Sequence, residues 1–338
     1  MKRPGRAVRA IVSLGSNVEP RAEHLARALE ALSAFPKTRL VAASSVTETE
    51  PVDVPARFAD RKFLNQVAVF STGLSADDFS WRMHAVEDEL GRVRTVRNGP
   101  RTADIDLVDF GGLVRNGPEL TLPHPRAMER EFVLAPLREL GIAPVVILAA
   151  GDFPKRGSAA RRILEGALTV VCCDSAADAY RAKVGREPSV ALGDGDSVRG
   201  PFDAFVKVEE QDTNDLAKAI RLCAERGWRD PIALGVTGKR EDHTLGNVFR
   251  AMEAGVTVVT DYGIFRPLEA GPNAFDVIPG AAVSVFATDK RTRMSSDGLA
   301  WPLAGVTFEN LYCATLNRAT GLKVAIRSNR PAFVYIAS

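Results

Sequence analysis

The chain is poor in the features that mark zinc-binding, secreted or membrane proteins. Its 338 residues include four cysteines, Cys172, Cys173, Cys223 and Cys313, with no C-x-x-C pair among them. A zinc site is not expected. Buried reduced thiols are, with Cys172 and Cys173 on opposite faces of one strand, in a reducing cytoplasm. The basic start, Met1-Lys2-Arg3, is not followed by an apolar run long enough for a signal peptide or a membrane span. An excess of one charge is missing too: 44 Lys plus Arg stand against 42 Asp plus Glu. That balance gives no global basic field to hold nucleic acid, so neither nucleic acid nor a membrane is an expected partner. Internal repeats and low-complexity tracts are absent. What remains is ordinary globular composition, 46% apolar and 25% charged, in a chain too long for one core, and two or three domains are expected.

Periodicity divides the chain. Residues 7–13 read as a strand ending in Leu14-Gly15-Ser16-Asn17, and residues 19–34 carry Leu25, Leu29 and Leu32 at helical spacing. Strands are expected over 40–47 and 64–71. A helix then opens at Ser75-Ala76-Asp77-Asp78, with Phe79, Met83, Val86 and Leu90 on one face, and a strand covers 104–110. This β-α-β-β-α-β order predicts an α+β ferredoxin-like domain over residues 1–141. After a seam at 140–144, apolar strands over 145–149, 168–173, 190–192, 232–236 and 256–260 alternate with helices such as 212–226. That pattern predicts an α/β Rossmann-like parallel-sheet domain over 142–262. From 263 to 338, short β-rich runs without an amphipathic helix predict an antiparallel β-sandwich.

The densest chemistry lies in residues 91–107. Arg92, Arg94, Arg97 and Arg101 crowd a Gly/Pro-containing loop that runs into Asp104-Ile105-Asp106. Residues two apart on a strand share a face, so the two carboxylates point the same way, roughly 7 Å apart at the backbone. Carboxylates that close repel unless a cation sits between them. Arginines beside them suit a triphosphate, so Mg2+ held jointly by protein and nucleotide is the chemistry this pattern favours. Taken singly, the Asp-x-Asp pair also fits a solvated strand edge, and the arginines also fit RNA phosphates.

Further strings narrow the choice. They are Gly15-Ser16-Asn17, Phe63-Leu64-Asn65, Glu87 with Gly91-Arg92-Val93-Arg94, Gly99-Pro100-Arg101-Thr102-Ala103-Asp104-Ile105-Asp106, and Leu122-Pro123-His124-Pro125-Arg126 continued by Arg130 and Phe132. With these, residues 1–141 resemble 6-hydroxymethyl-7,8-dihydropterin pyrophosphokinase. The resemblance implies two Mg2+ ions on Asp104 and Asp106, bridging ATP to the pterin hydroxyl, with Arg92 and Arg101 also in the catalytic set. It implies ATP contacts from Glu87, Arg94, Leu107, Thr121, His124 and Arg130, and a pterin slot of Thr49, Pro51, Asn65 and Phe132. In that slot Asn65 would read the pterin edge and Phe132 would stack on the ring. Asn98 stands where some relatives carry an aromatic, and Glu119 where some carry a basic residue. His84, one turn before Glu87, is a further candidate for the ATP site.

The second half carries acid at the ends of its strands, where such sheets bind ligands. Cys173-Asp174-Ser175 ends one strand and Gly193-Asp194-Gly195-Asp196-Ser197 the next. A dinucleotide fingerprint lacks its spacing here, and Gly238-Lys239-Arg240 lacks the Ser or Thr of a Walker motif. Gln211-Asp212-Thr213-Asn214-Asp215 starts a helix, with Asp212 or Thr213 expected as its cap. Gly235 to His243 supplies a glycine-bearing strand-to-helix turn able to cradle phosphate.

Together with Gly298-Leu299-Ala300-Trp301-Pro302-Leu303 and Thr315-Leu316-Asn317, these strings make residues 143–338 resemble thiamine pyrophosphokinase. The resemblance implies metal on Asp194, Asp196 and Asp215, the first two catalytic. ATP contacts would come from Asp174, Asp215, Thr237, Lys239, Arg240, Asp242 and His243, and thiamine contacts from Trp301 and Asn317 at the interface of a homodimer formed through the C-terminal half. Ser175 replaces a glycine common in relatives, which would narrow the turn after Asp174.

Both halves would then move diphosphate from ATP to a substrate hydroxyl and release AMP, ATP being the co-substrate and Mg2+ the metal. No general base stands out in either half. The alternative is that one half is silent and serves as a ligand-binding or dimerisation module; the intact Asp pairs in both halves argue against it.

Overall fold

The computed structural model describes residues 7–52, 54–92, 99–111, 113, 115–196, 199–202, 204–210 and 212–338. The molecule is a mixed α/β protein with several sheets. It divides into two units, residues 1–144 with 167–169, and residues 145–166 with 170–338.

The first unit is built on β1 (Val8–Ser16), α1 (Arg21–Ser33), β2 (Thr38–Ala43), β3 (Thr47–Thr49), β4 (Phe63–Thr72), α2 (Ala76–Glu89), β5 (Asp104–Phe110), β6 (Arg115–Asn116), β7 (Thr121–Leu122) and α3 (Glu131–Glu139). Its main sheet runs β2-β4-β1-β5 with β3 also joined to β4, and every pairing is antiparallel. β1 is buried from Ala10 onward, as the central strand of such a sheet must be.

The two long helices of this unit present the stripes their spacing dictates. Leu25, Ala28 and Leu32 of α1, with Phe79, Met83 and Val86 of α2, enter the core. Phe79 is fully buried and meets Phe35, Phe70 and Phe110 with ring centroids 5.5–6.1 Å apart. Ser75 caps α2 by accepting the Asp78 N–H at 3.1 Å. The strand expected over 40–47 is divided at Ser44, whose hydroxyl accepts the Val67 N–H at 3.1 Å in place of a ladder partner.

The second unit comprises β8 (Val145–Leu148), α4 (Ala159–Gly166), β9 (Thr169–Cys173), α5 (Ala176–Val184), β10 (Val190–Gly193), β11 (Phe205–Lys207), α6 (Asp215–Glu225), β12 (Ile232–Leu234), α7 (Glu241–Glu253) and β13 (Thr257–Val259). It continues through β14 (Gly263–Leu268), β15 (Gly271–Asp276), β16 (Ala282–Phe286), β17 (Met294–Asp297), β18 (Ala314–Arg318), β19 (Lys323–Ser328) and β20 (Ala332–Ala337). One ten-stranded sheet runs β11-β10-β9-β8-β12-β13-β14-β20-β16-β18, and β15-β19-β17 form a separate three-stranded sheet. The strands up to β13 pair in parallel wherever their register is defined, and β13 meets β14 antiparallel, Val258 opposite Phe265. The ten-stranded sheet therefore crosses residues 262–263 without a break. β11, three residues at a sheet edge, carries too little periodicity to be read from sequence.

The thiols divide three to one. Cys172, Cys173 and Cys223 are buried, and burial drives their thiols up, that of Cys223 to about 12. Cys313 departs from the expectation of buried thiols: it sits on an exposed turn, its Sγ donating to Asn310 Oδ1 at 3.1 Å. Among the described residues no helix is long and apolar enough to cross a membrane.

Candidate active sites

In the first unit, β1 lies between β4 and β5, with Gly15 opposite both Asn65 and Asp104, and Ser13 opposite Asp106. Three strands thus deliver their polar residues to one patch. A cavity of about 600 Å³ opens there, walled by Thr49, Asn65, Phe63, Phe132, Arg101, Arg130 and the two aspartates among others. Gly15 keeps it open, since a Cβ at that position would come 3.1 Å from Asn65 Oδ1. Asn65 Nδ2 donates to the Thr49 hydroxyl at 2.8 Å, so two of the expected pterin residues are already locked together. Pro51 does not line the cavity, whereas Glu50, Val52 and Val54 do.

The two carboxylates sit in different settings. Asp104 is gripped by Arg92, at 2.8 Å from Nη2 to Oδ1, and by Arg101. Among the described residues the ion-pair partners of Asp106 are longer-range, His124 Nε2 at 4.0 Å and Arg130 Nη1 at 3.8 Å. Burial pushes the Asp106 carboxyl up, the Asp104 charge adds to the push, and the neighbouring cations oppose it without cancelling it. Burial lowers His124, with the Asp106 charge working the other way. Burial also lowers Arg130, and the charge of Arg126 lowers it further. His124 Nδ1 accepts the Arg126 N–H at 3.3 Å, and the Arg130 guanidinium lies 5.5 Å from the centroid of Phe132.

A stability consequence follows for the unliganded chain. An acid held protonated by the fold contributes most below its unfolded value of about 3.9, and that contribution is lost as pH rises through the higher folded value. Asp106→Asn removes the cost of the buried charge. Its thermal midpoint at pH 7 without metal or nucleotide is expected to exceed that of the parent, and the gap should close below pH 4 in a scanning series.

Glu87, expected at the ATP site, is buried beside the two aspartates' strand. Its side chain is 1% exposed; Oε1 accepts the Ile105 N–H at 2.8 Å and pairs with Arg92, and Oε2 meets His84 Nδ1 at 3.2 Å. Both oxygens are spent inside the protein, so Glu87 fixes the strand that carries the aspartates and the arginine that grips Asp104. Its buried carboxylate positions Arg92 and β5, and His84 is drawn to it. Leu107 likewise places its side chain in the core. Thr121 stands on β7 with its hydroxyl on the Gly117 carbonyl at 3.1 Å. Arg94, with Asn98, lies outside the described residues. Sequence reasoning passed over Asn17 as an individual residue: its Oδ1 accepts the Arg101 N–H at 2.7 Å and its own N–H reaches the Arg101 carbonyl at 3.2 Å.

In the second unit the acids gather along the carboxyl edge of the parallel strands. Asp174 follows β9 in a left-handed conformation, φ 47°, and Gly193 packs against it so closely that a Cβ there would touch its side chain at 3.4 Å. Ser175 has φ −57°, so the turn asks nothing of it that requires glycine. Asp194 and Asp196 follow β10, Asp194 Oδ1 accepting the Asp196 N–H at 3.0 Å. Asp215 opens α6, but the cap is Asn214, not Asp212 or Thr213. Asn214 Oδ1 accepts the Ala217 N–H at 2.9 Å, and Asn214 Nδ2 donates to Asn247.

Lys218 is a residue the sequence did not flag. It is 4% exposed, with its ammonium 3.2 Å from Asp215 Oδ1. A buried ammonium needs such a partner, and it fixes the carboxylate in return.

The expected phosphate turn follows β12. Gly235 and Gly238 have φ of 62° and 88°, and Gly238 N–H donates to Thr244 at 3.0 Å. Lys239 donates to the Ala150 carbonyl at 2.7 Å. Arg240 and Asp242 pair with each other, at 2.5 Å between the closest atoms, and that pairing holds the Asp242 carboxyl down at about 2. His243 is exposed on α7.

Among the described residues no three His, Cys, Asp or Glu side chains converge to hold a metal unaided. Pairs of carboxylates suit instead an ion completed by phosphate and water oxygens, the usual mode for Mg2+. At the far end, Trp301 is 61% exposed. Asn317 is buried and brackets the Trp301 backbone, its Oδ1 accepting the Trp301 N–H at 3.1 Å and its Nδ2 donating to the Trp301 carbonyl at 2.6 Å. Its amide thereby holds the Trp301 backbone in place.

Comparison with known proteins divides the chain at the same seam. Residues 11–142 match the family model for 7,8-dihydro-6-hydroxymethylpterin-pyrophosphokinase. Residues 160–260 and 263–335 match the catalytic and the substrate-binding domain models of thiamin pyrophosphokinase. A 2-amino-4-hydroxy-6-hydroxymethyldihydropteridine pyrophosphokinase of Pseudomonas aeruginosa is 41% identical over 133 residues, 39% of this chain and 80% of that one. Its Bacillus subtilis counterpart is 39% identical over 132 residues, 39% of this chain and 77% of that one. Among solved structures, thiamine pyrophosphokinase from Bacillus subtilis aligns with 57% of this chain and 98% of its own, at 18% identity and a TM-score of 0.47.

Proposed function

The chain belongs to the 7,8-dihydro-6-hydroxymethylpterin-pyrophosphokinase family and continues into both domains of a thiamin pyrophosphokinase, a bifunctional diphosphotransferase, and we propose that each unit carries its own complete site. The observation that carries this reading is the pair of separate carboxylate sets, each at strand ends beside cations: Asp104 and Asp106 in one unit, Asp194, Asp196 and Asp215 in the other. We read the first unit, with its β2-β4-β1-β5 order, as ferredoxin-like. We read β8 to β13 as Rossmann-like and the strands beyond as a β-sandwich.

In each site the substrate hydroxyl attacks the β-phosphorus of ATP. The bond from that phosphorus to the bridging oxygen breaks, the hydroxyl proton is lost, and AMP leaves. Bound Mg2+ supplies charge neutralisation on the transferring phosphates. In the pterin site Asp104 and Asp106 hold the metal, and two ions per site match the two differently set carboxylates. Arg92 and Arg101 grip Asp104 and stand ready to transfer to phosphate oxygens, with His124 and Arg130 on the other carboxylate. Thr49 and Asn65 fix the edge of the pterin, and Phe132 covers its face.

In the thiamine site Asp194, Asp196 and Asp215 take the metal, while Asp174, Thr237, Lys239, Arg240, Asp242 and His243 surround the nucleotide. Trp301, held out by Asn317, meets thiamine across a homodimer interface made by the C-terminal half. We place the enzyme in the cytoplasm, with which its free, mostly buried thiols agree. The test is AMP release from Mg-ATP with each acceptor alone. Release with 6-hydroxymethyl-7,8-dihydropterin and, separately, with thiamine is expected. Release with only one acceptor would favour a silent module instead.

A further inference from the structure

α7 packs lightly for its length. Ala251 is its buried residue, while Leu245 and Phe249 stand exposed. Apolar area alone does not hold such a helix, and polar side chains near its start supply bonds to the rest of the unit. Thr244 and Asn247 are three residues apart and so share a face. Both reach the turn that follows β12. The Thr244 hydroxyl accepts the Gly238 N–H at 3.0 Å, and Asn247 Nδ2 donates to the Val236 carbonyl at 3.3 Å.

The turn needs bonds of this kind. Gly235, Gly238 and Lys239 have φ of 62°, 88° and 61°, so no regular ladder runs through it. Lys239 is a side-chain-bearing residue in the left-handed region, a conformation that persists only where its surroundings over-determine it.

Asn247 reaches a second element as well. Its Oδ1 accepts Asn214 Nδ2 at 2.9 Å, and Asn214 Oδ1 accepts the Ala217 N–H at 2.9 Å as the cap of α6. The polarity of this relay is fixed at both ends. A backbone carbonyl only accepts, so Asn247 must turn its amide nitrogen to Val236 and its oxygen to Asn214. A backbone N–H only donates, so Asn214 must turn its oxygen to Ala217 and its nitrogen to Asn247. The two amides therefore meet donor to acceptor, and each orientation enforces the other.

The two ends of the relay are chemically significant. The residue after Asn214 is Asp215, whose carboxylate Lys218 already holds at 3.2 Å, and Val236 lies inside the phosphate turn. Side-chain bonds thus span the gap between the start of one helix and the turn before another. Resting on the reading of this unit as an ATP-dependent diphosphotransferase, we propose that Asn247 is a positioning residue that sets the spacing between the metal carboxylate Asp215 and the phosphate turn. It acts through Asn214 on one side and Val236 on the other.

The test uses the full chain, whose pterin site consumes the same Mg-ATP and serves as the internal control. Asn247→Ala is expected to raise the Mg2+ concentration for half-maximal thiamine transfer by about 10–100-fold, the range over which loss of a metal ligand's outer partner acts. The KM for thiamine should not move, and pterin transfer should keep its parent Mg2+ dependence. Asn214→Ser separates the relay from the helix cap. Its hydroxyl still caps α6, but it is one bond shorter than the amide nitrogen and leaves Asn247 unmet. This variant should shift the Mg2+ requirement as Asn247→Ala does while keeping the thermal midpoint. The double variant should shift it no further. Away from turnover, calorimetry with α,β-methylene-ATP and Mg2+ on an Asp106→Ala chain should show the same weakening when Asn247→Ala is added.

A parent Mg2+ requirement in either single variant would overturn the proposal. So would an Asn247→Ala chain whose thiamine transfer and thermal midpoint fall together with the Mg2+ dependence unmoved, the mark of a merely structural bond. A parent chain that transfers nothing to thiamine would defeat the underlying reading of the unit, an outcome separate from these.

Discussion

Asp106→Ala is expected to lower diphosphate transfer to the pterin by about 10²–10³-fold or more, the scale on which removal of one transition-state electrostatic partner acts. Thiamine transfer by the same variant should stay at the parent level. Among the described residues Asp106 is the carboxylate whose cations stand farther off, so its charge is the one most available to a metal ion and least replaceable by Arg92 or Arg101. The variant should also fold: among the described residues Asp106 makes no short ion pair, and charging this half-buried carboxyl is a cost in the unliganded chain. The mirror variant, Asp196→Ala, should lose thiamine transfer and keep pterin transfer. Initial rates of AMP release with each acceptor measure all four quantities. If either substitution abolished both activities, the separation into two sites would be wrong.

The second large effect is expected at Glu87, the buried residue that holds Arg92 and the Ile105 N–H. Glu87→Ala would leave the Arg92 guanidinium without its buried partner and the Ile105 N–H without an acceptor. Breaking a buried pair by removing one member typically costs about 3–5 kcal/mol. The unfolding midpoint of the first unit should fall accordingly in a urea series followed by the fluorescence of Trp81, the tryptophan of that unit. Pterin transfer should drop by more than tenfold even in the fraction that remains folded, since Arg92 then competes for Asp104 alone. Glu87→Gln keeps an acceptor for Ile105 and should restore stability more than activity. A Glu87→Ala chain with parent stability and parent pterin transfer would show that the hub has no positioning role.

How far the sequence carried this depended on whether a residue acts through its neighbours in the chain or through distant ones. The Asp104/Asp106 pair was legible because strand alternation alone puts both on one face, and β5 does so. The α2 stripe and its Ser75 cap were legible for the same local reason. The grip of Glu87 on Arg92 and the Ile105 N–H was not legible, because it is set by burial at the α2–β5 contact, which no motif records. The hold of Asn317 on Trp301 was hidden in the same way: only the fold brings its amide around the Trp301 backbone, sixteen residues away. Lys218 escaped notice because a lysine on an amphipathic helix normally faces water, and its burial beside Asp215 is a tertiary fact. The ten-stranded sheet that crosses residues 262–263 was invisible because pairing between β13 and β14 leaves no compositional trace.

The central claim is that one chain carries two independent nucleotide sites that run the same chemistry on different acceptors. Calorimetric titration with α,β-methylene-ATP, whose reacting bridge cannot be cleaved, tests it most directly in the presence of Mg2+. Two sites per chain are predicted for the parent. One should remain in Asp106→Ala and one in Asp196→Ala, the surviving site keeping its parent affinity. A single site in the parent chain, or a single substitution that removed both, would contradict the account.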